Sequence, residues 1–137
     1  MKTWLIDTGP IVALVVGDDS QHEWVVEQSK HAPAWVLTCE AVISEALFLL
    51  KRDGHDPDEL FALVDAGFLR SDFNFRDQFR HVRELMHRYR DRPMSFADAC
   101  LVRMAEVHAD STLWTLDEDF RFYRKNKRQT LSLVSPW

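Results

Sequence analysis

Short apolar segments with strand character alternate with helical patterns along the whole chain, and this alternation restricts the fold more than any other feature. Strands are predicted at residues 2–6, 34–37, 68–70, 111–115 and 130–134. One or two helices are predicted between each of the first four strands and the next. Strands that alternate with helices pair in parallel, because the chain crosses over between them. The sequence therefore predicts a three-layer α/β/α sandwich around a central, mostly parallel sheet of four to five strands.

Residues at the helix boundaries refine this prediction. Pro10 suits the first position of a helix, and Thr38 is the predicted N-cap of a long helix over residues 39–52. Ser95 is predicted to cap a nearly all-apolar helix that ends near residue 108. The helix before it stops ahead of Pro93 and has one predicted apolar face, formed by Phe75, Phe79, Val82, Met86 and Tyr89.

Length and composition indicate one globular domain over residues 1–137. Hydrophobic residues make up 46% of the chain, which contains only four glycines and five prolines. No apolar run approaches the roughly 20 residues that a membrane span needs. The N-terminal segment reaches an acid at Asp7, too early for a signal peptide, so we expect a cytoplasmic protein. Cys39 and Cys100 lie in apolar helical patterns without CxxC spacing and are predicted to be core residues.

Four acidic residues close or interrupt apolar runs: Asp7, Glu45, Asp98 and Asp117. An ionised carboxylate taken out of water is unfavourable unless it is paired, and none of the four has a Lys or Arg within three residues. Ligands bind beyond the carboxyl ends of parallel strands, where Asp7 and Asp117 are expected. Acids that converge there without bases indicate a cation, and an all-oxygen site suits Mg²⁺ or Mn²⁺.

Each acid also has a structural alternative, which for Glu45 is pairing with Arg52 about two turns along the same helix. Asp7 can form an Asx-turn that begins a helix, and Asp98 can complete a capping box with Ser95. Either Asp117 or Asp119 can cap a short helix, so the sequence leaves open which of the two is the fourth acid.

Two further residues are predicted to support the site. Glu40 lies in the first turn of its helix, where the helix dipole favours a carboxylate, and it can stand beside the metal ligands. Thr8 can orient the carboxylate of the preceding residue through its hydroxyl group.

The basic residues form two groups. The segment 121–128 contains two aromatic residues and five cations, which are predicted to contact RNA: Arg121, Arg124, Lys125, Lys127 and Arg128. Arg76, Arg80, Arg83, His87 and Arg90 form a stripe on one helix that is equally well explained as a solvated face. The net charge of −5 does not exclude a phosphate substrate, because residues 61–137 carry +2.

Four motifs together resemble the PIN-domain nucleases, and more narrowly the single-domain VapC-type toxins. They are Asp7-Thr8-Gly9-Pro10, Ser44-Glu45-Ala46, Ala97-Asp98-Ala99 and the segment 115–120. The resemblance implies an Mg²⁺- or Mn²⁺-dependent endoribonuclease that hydrolyses RNA, pairs with a cognate antitoxin and forms a homodimer. It also implies that Asp7, Glu45 and Asp98 are the central acids and Asp117 the fourth, more variable one. In this chain Ala46 stands where many members have Leu, and Asp119 adds an acid beside the fourth position.

Other functions remain open at this point. A phosphoacceptor domain also places acids at strand ends, but Asp7 has no second Asp two residues later and the last strand has no terminal Lys. A catalytically silent RNA- or protein-binding module of the same fold is a further alternative. A housekeeping RNA-processing nuclease would show the same four acids as a toxin.

Overall fold

A computed structural model describes residues 2–137. Five short strands form one sheet in which all neighbours are parallel, in the order β3-β2-β1-β4-β7. These strands are β1 (Thr3–Ile6), β2 (Val36–Thr38), β3 (Leu69–Ser71), β4 (Ser111–Trp114) and β7 (Leu133–Val134). Two more strands, β5 (Arg124–Lys125) and β6 (Gln129–Thr130), form an antiparallel hairpin.

Six α-helices connect the strands of the sheet. They are α1 (Thr8–Val15), α2 (His22–Ser29), α3 (Glu40–Arg52), α4 (Asp58–Asp65), α5 (Phe75–Arg88) and α6 (Phe96–Val107). A short 3-10 helix, Glu118–Arg121, precedes the hairpin. The predicted α/β/α sandwich with a central parallel sheet is confirmed. None of the helices between residues 2 and 137 is both long and apolar enough to cross a membrane.

Strand order fixes where a ligand crevice can open. From β1 the sheet grows through β2 and β3 on one side and through β4 and β7 on the other. The register pairs Ile6 with Trp114, so β1 and β4 end side by side. The order reverses between these two strands, and in parallel sheets this reversal creates a crevice at the carboxyl edge. The residues that follow Ile6 and Trp114 therefore share that edge.

The core lies between the sheet and the helices packed on it. Leu5 and Ile6 of β1 and Leu113 of β4 are fully or almost fully buried, as is Leu101 of α6. Helix α6 is buried along most of its length, because it packs against both central strands and against α3 and α5. Cys39 and Cys100 are buried as predicted. Asp98 thus lies on the most extensively buried of these helices.

Two predicted helix starts are wrong. Helix α1 begins at Thr8 rather than Pro10, because the Asp7 side chain accepts the Thr8 N–H and caps the helix. Thr38 does not cap α3: it is the last residue of β2, and its hydroxyl group donates to the Ile6 carbonyl oxygen at 3.0 Å. Cys39 takes the N-cap position without a side-chain capping bond.

Two segments pack differently from the predicted pattern. The buried residues of α5 are Val82 and Leu85, whereas Phe75, Phe79 and Met86 of the predicted apolar face are exposed. The predicted strand over residues 130–134 divides into β6 and β7, which belong to different sheets. The former pairs with β5 and the latter with β4.

Truncation of Leu101 tests the central position of α6. Leu101→Ala removes a fully buried side chain, and we expect it to lower the free energy of unfolding by about 2–5 kcal/mol. Val107→Ala on the same helix truncates a side chain that is 49% exposed and should change stability by less than about 1 kcal/mol. Urea unfolding followed by circular dichroism measures both values. Equal losses for the two variants would contradict this account of the core.

Candidate active site

A crevice at the carboxyl edge of β1 and β4 brings the four predicted acids together. Asp7 follows β1, Asp117 follows β4 and Asp98 lies in the first turn of α6, while Glu45 reaches the crevice from the second turn of α3. The crevice has a volume of about 500 Å³. Its other lining residues are Thr8, Gly9, Leu49, Leu116, Glu118, Asp119 and Trp137.

Asp7 is the most deeply placed of these acids, with only 7% of its surface exposed. Its Oδ1 accepts the Thr8 N–H at 2.7 Å, and its Oδ2 accepts the Thr115 hydroxyl at 2.8 Å. The Asx-type cap anticipated as an alternative is therefore present. The cap uses Oδ1 alone. Each of the two carboxylate oxygens accepts one hydrogen bond, so each keeps a lone pair that a ligand could use.

Asp98 combines a capping role with a place in the crevice. Its Oδ2 accepts the Ser95 N–H at 3.0 Å, while the Ser95 hydroxyl accepts the Asp98 N–H at 3.0 Å. This is the capping box that the sequence allowed. Because it occupies one carboxylate oxygen, Oδ1 remains available to a ligand, and the side chain is only 8% exposed.

Asp117 is tied to Asp7 through a residue that the sequence analysis did not single out. The Thr115 hydroxyl, which donates to Asp7, also accepts the Asp117 N–H at 3.0 Å. Asp117 Oδ1 accepts the Asp119 N–H at 2.9 Å and so caps the 3-10 helix. Its half-buried side chain lies in the crevice together with that of Asp119, so the structure brings both candidates for the fourth acid to the site.

Glu45 differs from the other central acids because it is exposed rather than buried. The apolar residues around it in sequence lie on the other faces of α3, with Val42, Ala46 and Leu50 buried. Its prediction as an acid out of water is therefore wrong. Its carboxylate nevertheless lines the crevice.

Burial, and to a smaller extent the neighbouring carboxylates, raises the pKa values of two of the acids. Burial raises the pKa of Asp7 to about 7, against the hydrogen bonds from Thr115 and Thr8, and the charges of Asp98 and Asp117 add to the rise. Burial likewise raises the pKa of Asp98 to about 6, with further contributions from Asp117 and Glu45. Both pKa values lie above the ordinary carboxyl range chiefly because burial disfavours the charged form of the side chain.

The donor set fits a hard divalent cation. Six carboxylates line the crevice and, among residues 2–137, no Lys, Arg or His side chain lines it with them. The Thr8 hydroxyl is buried and has no hydrogen-bond partner in the described part of the protein. Between residues 2 and 137, no three acidic, histidine or cysteine side chains are close enough to enclose an ion. A metal held by these carboxylates would therefore require some of the side chains to turn toward it.

Several predicted residues lie outside the crevice. Glu40 lines a neighbouring cleft rather than the acidic one. Lys125 Nζ donates to the Ala109 carbonyl oxygen beyond the C-terminal end of α6, roughly 15 Å along the helix from Asp98. Lys127 lines a separate pocket with α5 and α6 residues, and Arg128 is exposed in the turn of the hairpin.

The other two predicted RNA-binding residues lie beside the crevice. Arg121 and Arg124 share a surface depression with Glu118 and Asp119, and both acids also line the crevice. The Arg124 guanidinium donates to the backbone carbonyls of residues 121–123. The C-terminal Trp137, 53% exposed, lines the crevice as well, and no sequence pattern indicated it.

A family comparison agrees with this architecture. The family model described as PIN domain matches residues 4–126, which include all four central acids. The chain therefore belongs to the PIN domain family. A comparison with curated proteins finds no significant match.

Two solved structures share the fold. Mycobacterium tuberculosis VapC20, described as a sarcin-ricin loop cleaving toxin, is 21% identical and superposes with a TM-score of 0.81 over 93% of this chain and 99% of its own. PAE2754 from Pyrobaculum aerophilum is 18% identical, with a TM-score of 0.54 over 97% of this chain and 84% of its own. At these identities the likeness concerns the fold.

Asp7→Asn should stabilise the metal-free protein at alkaline pH. The folded-state pKa of about 7 exceeds the ordinary value of 3.8, so the folded state binds this proton more tightly than the unfolded state. Stability is therefore lost as pH rises from about 4 through 7, and the variant should escape this loss. In EDTA at pH 8 we expect a melting temperature a few degrees above wild type, roughly 1–3 kcal/mol of stabilisation, and a smaller difference at pH 5.

Asp18→Asn is the matched control, because Asp18 is exposed and outside the crevice. It should leave the melting temperature unchanged at both pH values. A lower melting temperature for Asp7→Asn than for wild type at pH 8 would argue against repulsion among the acids.

Proposed function

We propose that this chain is a metal-dependent endoribonuclease that hydrolyses phosphodiester bonds in RNA, with Mg²⁺ or Mn²⁺ as its cofactor. The observation that supports this most strongly is the crevice lined by six carboxylates without a cationic side chain from residues 2–137. Such a site cannot attract a phosphate by itself, because like charges repel. It requires positive charge from a bound ion, and all-oxygen ligands match the preference of Mg²⁺ and Mn²⁺.

The proposed ligands are Asp7, Glu45, Asp98 and Asp117, with Asp119 beside the last. A divalent ion held by them would supply positive charge against the scissile phosphate and make an attacking water molecule more acidic. The Thr8 hydroxyl, which is buried and has no partner in the described part of the protein, belongs to a residue that lines the crevice beside Asp7, where it can hold a water molecule. The pKa values of Asp7 and Asp98 are raised, so protons would compete with the proposed ion for these two carboxylates.

The test is cleavage of a mixed RNA pool by purified protein with Mg²⁺, with Mn²⁺ and with EDTA. Wild type should cleave only with metal. Asp98→Asn should lower the rate by more than about 100-fold, the upper range for losing a residue that merely supports a metal ligand. An asparagine side-chain oxygen can still accept the Ser95 N–H, so the capping box and the fold should persist.

Asp110→Asn is the matched control, because Asp110 is an exposed acid outside the crevice. It should cleave like wild type. If folded wild-type protein were inert in both metals, a catalytically silent binding role would replace this proposal. Equal cleavage by wild type and Asp98→Asn would mean that the site is wrong or that a contaminating nuclease is present.

We further propose that the protein is the toxin of a toxin–antitoxin pair, acts in the cytoplasm on RNA and forms a homodimer. The support is the fold shared with VapC20, which is itself described as a sarcin-ricin loop cleaving toxin, over 99% of that chain. Arg121, Arg124, Lys125, Lys127 and Arg128 are the proposed RNA contacts from the sequence. Only the first two lie beside the crevice, so they are the ones we expect to affect cleavage directly.

Induced expression in a bacterial host separates the toxin role from RNA processing. Wild-type protein should arrest growth, and the inactive Asp98→Asn variant at the same protein level should not. Unimpaired growth with active wild-type protein would favour a housekeeping nuclease. Light scattering on the purified protein tests the proposed dimer.

A further inference from the structure

A second cleft lies next to the acidic crevice and has a different character. It has a volume of about 560 Å³, and we call it the phenylalanine cleft. Its lining combines three phenyl rings with polar groups from the β3–α5 connection and the first turn of α3. These residues are Phe73, Phe75 and Phe96, with Glu40, Ser71, Asp72, Asn74 and Arg76.

The aromatic residues of this cleft are unusually exposed for their size. Phe75 is 48% and Phe96 42% exposed, and their rings meet edge to face with centroids 5.2 Å apart. Phe79, 41% exposed, extends the group with its centroid 6.4 Å from that of Phe75. Clustered exposed rings on a monomer indicate a binding surface, and a ring face left open to solvent can stack on a planar ligand.

The cleft is polar as well as aromatic. Arg76, Asn74, Ser71 and two carboxylates offer hydrogen-bond donors and acceptors at its edges. This combination of aromatic rings and mixed polar groups matches a nucleobase, which has two apolar faces and a polar edge. A purely apolar partner helix would leave those polar groups without partners.

The first turn of α6 separates the cleft from the acidic crevice. Phe96 lines the cleft, and Asp98, two residues later, lines the crevice. Along α3, Glu40 lines the cleft and Glu45 the crevice. A base in the cleft would therefore belong to a nucleotide close to the phosphate in the crevice.

A line of cations begins at the same cleft and runs along α5. Arg76, Arg80 and Arg83 are exposed and recur at helical spacing, and Arg76 itself lines the cleft. No acidic side chain between residues 2 and 137 forms an ion pair with any of the three, since Glu84 pairs with Arg88. The Arg80 guanidinium lies 5.7 Å from the Phe79 ring centroid.

From this arrangement we propose that the phenylalanine cleft binds an unpaired nucleobase of the RNA substrate, with the α5 arginines on the adjoining phosphates. This inference rests on the proposed ribonuclease function and names how that site selects single-stranded RNA. Stacking on Phe75 and Phe96 requires a base free of pairing, because a paired base keeps its faces covered by its neighbours. Arg76, Arg80 and Arg83 supply the cations that the acidic crevice lacks.

The test measures binding apart from cleavage, in protein inactivated by Asp98→Asn. Fluorescence polarisation with a labelled, unstructured RNA pool measures the RNA affinity of this parent. The same measurement is made on the parent carrying Phe75→Leu, Phe75→Trp or the control substitution Phe61→Leu. Phe61 is 49% exposed on α4, outside the cleft. We expect Phe75→Leu to weaken binding roughly 5- to 100-fold, while Phe75→Trp and Phe61→Leu retain parental affinity. Fully paired RNA should bind weakly and without dependence on Phe75.

A second measurement does not depend on the Phe75 variants folding well. Arg80→Gln in the same inactive background removes one exposed cation, and it should reduce the slope of log affinity against log salt by about 0.7. An unchanged slope together with unchanged affinity in Phe75→Leu would overturn the proposal. So would a dimer that dissociates in Phe75→Leu while RNA binding persists, because the cleft would then be a protein interface.

Failure of the subsite and failure of the nuclease give different results. Suppose that Phe75→Leu alone leaves kcat/KM at the wild-type value, and that Phe75→Leu in the Asp98→Asn background binds RNA with parental affinity. The proposed nuclease function would then be retained and the proposed base-binding cleft rejected. If wild-type protein cleaves no RNA but its affinity for RNA still depends on Phe75, the base-binding cleft would be retained and the nuclease proposal rejected.

Discussion

The Thr115 hydroxyl group joins the ends of the two central strands, and the geometry of the acidic crevice depends on this contact. It donates to Asp7 beyond β1 and accepts the N–H of Asp117 beyond β4. The bond is possible because the strand register places Ile6 beside Trp114, so both chains leave the sheet at one level. A buried carboxylate needs such donors, and this one also fixes where the following acid enters the crevice. The Thr115 side chain thus fixes the positions of Asp7 and Asp117 relative to the paired strands.

Capping leaves acceptor positions on the Asp7 and Asp98 carboxylates, so a capping role is compatible with their proposed role as metal ligands. Asp98 caps α6 through Oδ2, while Asp7 caps α1 through Oδ1. These bonds hold both acids at the crevice, where burial, with a smaller contribution from repulsion among the carboxylates, raises both pKa values. If the proposed ion binds these carboxylates, it should stabilise the folded protein, because a ligand that binds only the native state shifts the folding equilibrium toward that state.

The sequence predicted those features that follow from periodicity and strand ends, and it failed where contacts distant in sequence decide. The parallel sheet and the positions of Asp7 and Asp117 followed from alternation and from the carboxyl-edge rule. Thr38 was wrongly assigned as a cap because its hydroxyl bonds to Ile6, 32 residues away. The predicted apolar face of α5 was right for Val82 but wrong for the exposed Phe75 and Phe79. Helix α6 packs on α5, and apolar spacing alone does not identify which side it covers. Glu45 was predicted to be an acid out of water but is exposed, and its place in the lining of the crevice is what agrees with the proposed site.

In the proposed function, the residues that would bind RNA are separate from those that would cleave it, and the two groups differ in charge. The chain carries −5 overall and six carboxylates in one crevice, so a polyanion gains nothing from entering that crevice alone. The exposed arginines of α5 and the neighbouring phenylalanine cleft lie outside the acidic group and can bind RNA without opposing it. A divalent ion would then be needed at only one phosphate, the one within reach of Asp7 and Asp98. Monovalent salt should accordingly act mainly on affinity, by screening the arginines, whereas removal of divalent ions should act mainly on the rate of cleavage.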